Sequence, residues 1–326
     1  MRRHPYRPTL EGSVTGTEVQ LAVLDLLQKY EVLPLTYITH ALANYEYVRK
    51  VVRELNDKGY IGVPADAMPP TRNGPVLRVL PYWLLPKGVS LLKQHGMYNG
   101  RTLTTRSFQH KFMASTILYS FGIADTIEGL KLITPEDVLA HELCPEQTRK
   151  SPAPWVIHTS PKLVPDAPVF GLEYRDGKKV TLFFHGFEAD RGGEQLQSAA
   201  DRQSIDDKLY RYAQYLNTQG YTRQYGLNQC WILFFVSKKG RIKGVLERIH
   251  AICPELEEYI FVMYWPDFNA PELPIPAPTA ITEDYMKVGG TFNILGSLKA
   301  ELERKVSWTP RKHANYSPEE TTSPPN

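Results

Sequence analysis

The chain has 326 residues, 42% of them hydrophobic and 22% charged, which excludes a disordered polymer and supplies enough apolar material for one large core or two ordinary ones. A net charge of only +3 excludes a global field for nucleic acid, so any such affinity must come from local basic patches. The three cysteines, Cys144, Cys230 and Cys253, are far apart and lack metal-ligand spacing, which speaks against a disulfide framework or a zinc site and for a reducing, cytoplasmic setting.

The first hundred residues predict a helical unit with a hairpin. Thr17 caps a helix ending at Tyr30, with Val19, Ala22, Val23, Leu26 and Leu27 as its apolar stripe. A short helix over 35–41 follows Pro34, and Asn44 caps a third in which Val48, Val51, Val52 and Leu55 face inward, ending at Gly59. Strands over 60–63 and 75–84 flank a Pro-rich loop, and Pro86 and Gly88 open a last short helix. Helix, short helix, helix and hairpin is the order of a winged helix-turn-helix, placed at 15–96. Arg49, Lys50 and Arg53 share the solvent face of the third helix, where they could reach phosphates or base edges of double-stranded DNA, with Arg72 and Arg78 extending the contact from the wing. The same charges also fit an ordinary solvated face on a protein-binding module.

Residues 107–123 read as a helix carrying Phe108, Phe112, Ile117, Leu118 and Phe121, with His110 near its start either as a packing residue or as part of a site. Thr134 and Pro135 mark a helix start, and 147–154 is a polar connection. Strand-forming runs at 167–174 and 179–187 are joined by the turn Arg175-Asp176-Gly177-Lys178. That hairpin brings Asp166, Glu188 and Asp190 towards one end of a sheet, where an oxygen cluster could hold a hard divalent cation or simply be solvated.

An amphipathic helix over 201–216 buries Ile205, Leu209, Tyr212 and Leu216, with Lys208 at the margin of the same face, able to lean towards the carboxylates or to snorkel. An apolar strand over 230–236, a helix over 241–251 and a strand over 259–264 complete a mixed α/β pattern, placed at 105–270. Lys238, Lys239, Arg241, Lys243 and Arg248 form one basic cluster; Arg304, Lys305, Arg311 and Lys312 form another around Trp308. Residues 271–326 read as a C-terminal extension whose Ser-, Thr-, Pro- and Glu-rich end is expected to be disordered. No apolar stretch reaches membrane-spanning length, and Met1-Arg2-Arg3-His4-Pro5 leads into no signal core, so no membrane partner is expected.

The succession of these features carries a resemblance. A winged helix is followed by Phe108-Gln109-His110, Pro165-Asp166, Phe187-Glu188-Ala189-Asp190-Arg191-Gly192, Lys208-x-x-x-Tyr212-x-x-Tyr215 and an apolar strand. This resembles the replication-relaxation family of plasmids, phages and integrated elements, over roughly residues 15–265. The resemblance implies a DNA-binding winged helix fused to an α/β domain of the PD-(D/E)XK nuclease type, acting in replication or its control, with other replication or mobile-element proteins as further partners. It implies Asp166 and Glu188 as the acidic pair for Mg²⁺ or Mn²⁺. Asp190 stands where an active member would carry lysine, so the domain is expected to be degenerate unless Lys208 supplies the missing cation from its helix. An active metal-dependent endonuclease, with Asp166, Glu188 and Lys208 as catalytic residues and Asp190 as a further ligand, is the alternative, and a protein-binding adaptor a second.

Overall fold

The computed structural model describes residues 13–64, 67, 80–100, 107–159, 161–193, 196, 204–270 and 274–307. Helix α1 (Glu18–Tyr30) opens with a capping box between Thr17 and Gln20. Strand β1 (Val32–Pro34), α2 (Leu35–Leu42), α3 (Tyr45–Asp57), β2 (Ile61–Gly62), β3 (Pro81–Leu84) and α4 (Pro86–Gln94) follow. Asn44 caps α3 by accepting from the Tyr47 amide. The three strands form an antiparallel sheet in the order β1-β3-β2. Val23, Leu24 and Leu27 of α1 meet Val48, Val51, Val52 and Leu55 of α3 in one core. Strand β1 was not foreseen, because three residues beside a helix leave no alternation to read. The second hairpin strand, expected from 75, is described only from Pro81, and its earlier part lies outside the described residues.

The larger unit comprises α5 (Phe108–Gly122), β4 (Leu130–Ile133), α6 (Pro135–Ala140), α7 (Glu146–Arg149), β5 (Phe170–Asp176), β6 (Lys178–Asp190), α8 (Ile205–Asn217), α9 (Gly220–Tyr225), β7 (Trp231–Val236), α10 (Arg241–Ile252), β8 (Ile260–Tyr264), α11 (Thr279–Thr282), β9 (Asp284–Lys287), β10 (Gly290–Asn293) and α12 (Ile294–Ser307). Its seven-stranded mixed sheet has the order β10-β9-β8-β7-β6-β5-β4. Strands β4, β5 and β6 form an antiparallel meander, while β6, β7 and β8 run parallel through the crossovers α8 and α10. Both sheet faces are covered. Residues of α5 and α12 pack on one, those of α8 and α10 on the other, which is why β7 reads as an unbroken apolar run.

Residues 279–307, read from sequence as an extension, are instead part of this core. Strands β9 and β10 extend the sheet edge, and Ile294, Leu298 and Leu302 of α12 are buried against β5 and β6. Their spacing of four is an ordinary helical stripe, hidden in the sequence among Gly, Ser and charged residues. The expected disordered end and the Trp308, Arg311 and Lys312 group lie outside the described residues.

Candidate active site and nucleic-acid surfaces

A local irregularity in β6 builds the site. Val180, Leu182 and Phe184 face the α5–α12 core, as strict alternation requires. At His185-Gly186 the pairing with β7 shifts register, and from there Phe187 and Ala189 occupy that face. The extra residue inverts the phase, so Glu188 and Asp190 turn to the α8 side. Gly186 sits at φ +70°, and a Cβ there would stand 1.9 Å from the Ala167 carbonyl oxygen, so only glycine fits. Without the bulge both carboxylates would point into the wrong core.

Above Glu188 lies α8, capped by Ser204. Lys208 and Tyr212, one turn apart on its buried face, grip one carboxylate each by an oxygen: Lys208 Nζ is 2.8 Å from Oε2, and the Tyr212 hydroxyl donates to Oε1 at 2.6 Å. Asp166 approaches from the segment before β5. Its amide donates to the Phe187 carbonyl at 3.0 Å, and its Oδ2 accepts from the Ala189 amide at 2.8 Å. These two bonds flank Glu188 and hold the acids side by side. His110, in the first turn of α5, places Nε2 3.0 Å from the other Asp166 oxygen. Burial pushes the Glu188 carboxyl above the ordinary carboxylate range; Lys208 opposes this and the Asp166 charge adds to it. Burial, then the Glu188 charge, raises the Tyr212 hydroxyl well above its ordinary value.

Asp190 has a different environment. Arg241, at the start of α10, forms an ion pair with one of its oxygens, and the Gly192 amide donates to the other at 2.7 Å. Its charge is thus neutralised within the protein. Among the described residues no group of three or more His, Cys, Asp or Glu side chains is arranged to hold an ion. Asp166 and Glu188 are the two acids of the cleft whose oxygens could serve as ligands to a divalent cation.

These groups line a cleft of about 340 Å³ with Ser107, His110, Val164, Ala189, Arg191, Gly193 and Lys208. It opens at the C-terminal ends of the parallel strands, the usual place for ligands in such sheets. Lys238 and Lys239 are exposed just beyond β7; the former packs over Gly192 and the latter lies 5.1 Å above the Tyr264 ring. Of the basic cluster expected there, Lys238 and Lys239 thus reach solvent, while Arg241 is turned inward onto Asp190.

On α3, Arg49, Lys50 and Arg53 are exposed and line a groove of about 390 Å³ with Leu35, Leu80 and Tyr82. Their ion pairs are loose, 3.4 Å from Arg49 to Glu46 and 3.8 Å from Arg53 to Asp57. Tyr45 and Tyr47, 51% and 47% exposed, flank the same helix start and were not singled out in the sequence. Arg72 and Arg78 lie outside the described residues. Among those described, no helix is long and apolar enough to cross a membrane. Comparisons with family models, with curated proteins and with solved structures return no match for this chain.

Proposed function

We propose that this chain is a DNA-binding protein whose larger unit is a nuclease-like domain with a phosphodiester-facing cleft. The observation that carries this reading is the convergence of Asp166, Glu188 and Lys208 in one cleft at the end of β6. Further support comes from the chain order α5-β4-β5-β6-α8-β7, a meander followed by a parallel strand, which agrees with the architecture the resemblance implies. The order α1-β1-α2-α3-β2-β3 likewise agrees with a winged helix, and Arg49, Lys50 and Arg53 on α3 are the duplex contacts in this reading. The mobile-element setting and a role in replication or its control rest on the resemblance alone. Duplex binding that falls steeply with salt is expected; no measurable binding at low salt sinks the proposal.

One observation favours a second reading, an active Mg²⁺- or Mn²⁺-dependent endonuclease. Lys208 stands beside Glu188 from α8 and supplies the cation that Asp190 replaces on the strand. Asp166 and Glu188 would hold the metal ion, which when bound polarises the phosphodiester and lowers the pKa of a bound water. Lys208 would stabilise charge developing on the phosphoryl oxygens, and Tyr212 would orient Glu188. Metal-dependent nicking of supercoiled plasmid that is lost in Glu188→Gln supports this reading; absence of nicking leaves the domain as a DNA clamp. In a protein-binding adaptor, charge reversal on α3 would leave partner binding intact.

A further inference from the structure

The cleft continues beyond its acidic end. A second cavity, of about 320 Å³, shares His110, Val164 and Asp166 with it and runs along the start of α5 past Lys111 and Trp155 to Lys29 and Glu31 at the end of α1. Together they form one groove that crosses from the larger unit to the smaller. Val164, 52% exposed, stands on the rim where the two parts meet. Trp155 is half-buried, packed against the cluster of Val138, Val169 and Tyr225, and lines the groove. Lys29 is exposed at the far end, and Lys111 is 3.5 Å from Glu31.

The floor of this groove is deep. The side chains of Asp166, Glu188 and Lys208 are only 4%, 1% and 5% exposed. Grooves for single strands combine cations that follow the backbone with aromatic rings on which bases stack. Lys29 is the exposed cation of this groove and Trp155 its ring, while His110 and Lys208 are paired with Asp166 and Glu188 and would be shared with a phosphate.

We propose that this groove binds a single strand of DNA, with a phosphate at the Lys208 end and a base against Trp155. This rests on the nucleic-acid reading of the cleft, and it separates two surfaces: α3 for duplex, the groove for an unpaired strand. The polymer is assigned as DNA because α3 is read as a DNA surface.

The test is fluorescence anisotropy of the full chain, in EDTA, with a labelled unpaired oligonucleotide and a blunt duplex of the same sequence. Trp155→Ala and Lys29→Glu are expected to weaken the unpaired strand about fivefold or more and to leave duplex affinity unchanged. Trp155→Phe retains binding, and Lys29→Glu, at an exposed position, covers the case in which Trp155→Ala fails to fold. Reversing Arg49, Lys50 and Arg53 should do the opposite, weakening duplex alone. Equal losses for both ligands, no loss of the unpaired strand in either variant, or an RNA strand of the same sequence bound about tenfold tighter than DNA would overturn the assignment. Absence of duplex binding with intact, Trp155-dependent binding of the unpaired strand would remove the α3 reading and leave the groove standing.

Discussion

Charge is used in opposite ways in the two halves of this protein. On α3 the cations stand in water: Arg49 and Arg53 side chains are 55% and 85% exposed, and their ion pairs are loose. Such pairs contribute little to stability, typically under about 1 kcal/mol, so the fold makes no demand on these residues. In the cleft the charges are buried and held in close contact: Lys208 on Glu188, His110 on Asp166, and Arg241 on an Asp190 side chain that is 0% exposed. Burying ions is costly unless each finds a partner. The lesson concerns availability. The α3 charges are free for a partner because they do nothing for the fold, whereas every cleft charge has a structural duty that a ligand must displace or join.

The contrast can be broken most severely at the bulge. Gly186→Ala introduces a Cβ into the Ala167 carbonyl at a left-handed φ, and a loss of about 5 kcal/mol in urea unfolding is expected from clash and backbone strain together. A loss below about 1 kcal/mol would mean that β6 can reach the same phase by another route.

Lys208→Met leaves Glu188 buried without its cation and should destabilise by about 3–4 kcal/mol. The double variant Lys208→Met with Glu188→Leu should recover much of that, since a well-packed apolar pair removes both charges. No recovery would show that Tyr212 or Asp166, and not the ion pair, sets the energetics.

His185 sharpens the comparison through pH. It is 0% exposed, neither ring nitrogen has a hydrogen-bond partner of good geometry among the described residues, and burial lowers its pKa from 6.5 to about 4, with Gln224 weakly opposing the shift. The unfolded chain therefore takes up a proton below pH 6.5 while the folded one resists until about pH 4. Stability is expected to fall by about 3 kcal/mol as pH drops through this window. Glu188 runs the other way, because its raised pKa lets the folded state take the proton first on acidification. Comparing the wild type with His185→Phe across that window isolates the histidine. Parallel stability curves would mean that the ring finds a partner in solution.

The smallest effect on stability is expected on α3. Reversing Arg49, Lys50 and Arg53 to Glu should change unfolding free energy by about 0.5 kcal/mol or less per substitution, yet reduce the salt slope of duplex binding by about 3 units. Unfolding of this variant would erase the distinction between the halves.

Much of the scaffold was legible because its signals are local. Thr17, Asn44 and Thr134 cap the helices they precede, Gly177 sits in the turn between β5 and β6, and the stripe of Ile205, Leu209, Tyr212 and Leu216 is the buried face of α8. Short strands without alternation, β1 and β4, were not legible, nor was the stripe of α12. Of the site, Asp166, Glu188 and Lys208 could be named from residue type and spacing. A site role for His110 was an open alternative, but its pairing with Asp166 and the capture of Asp190 by Arg241, fifty-one positions away, carry no local signature.

Hydrophobic period, caps and turn residues by themselves determined which segments become helices and strands, because those preferences act over a few residues. Only the tertiary structure decided which face of β6 carries the carboxylates, which cation neutralises each, and that the cleft opens into a groove along α5. A one-residue bulge inverts every side chain beyond it, and the partners that then meet come from elements brought together solely by packing.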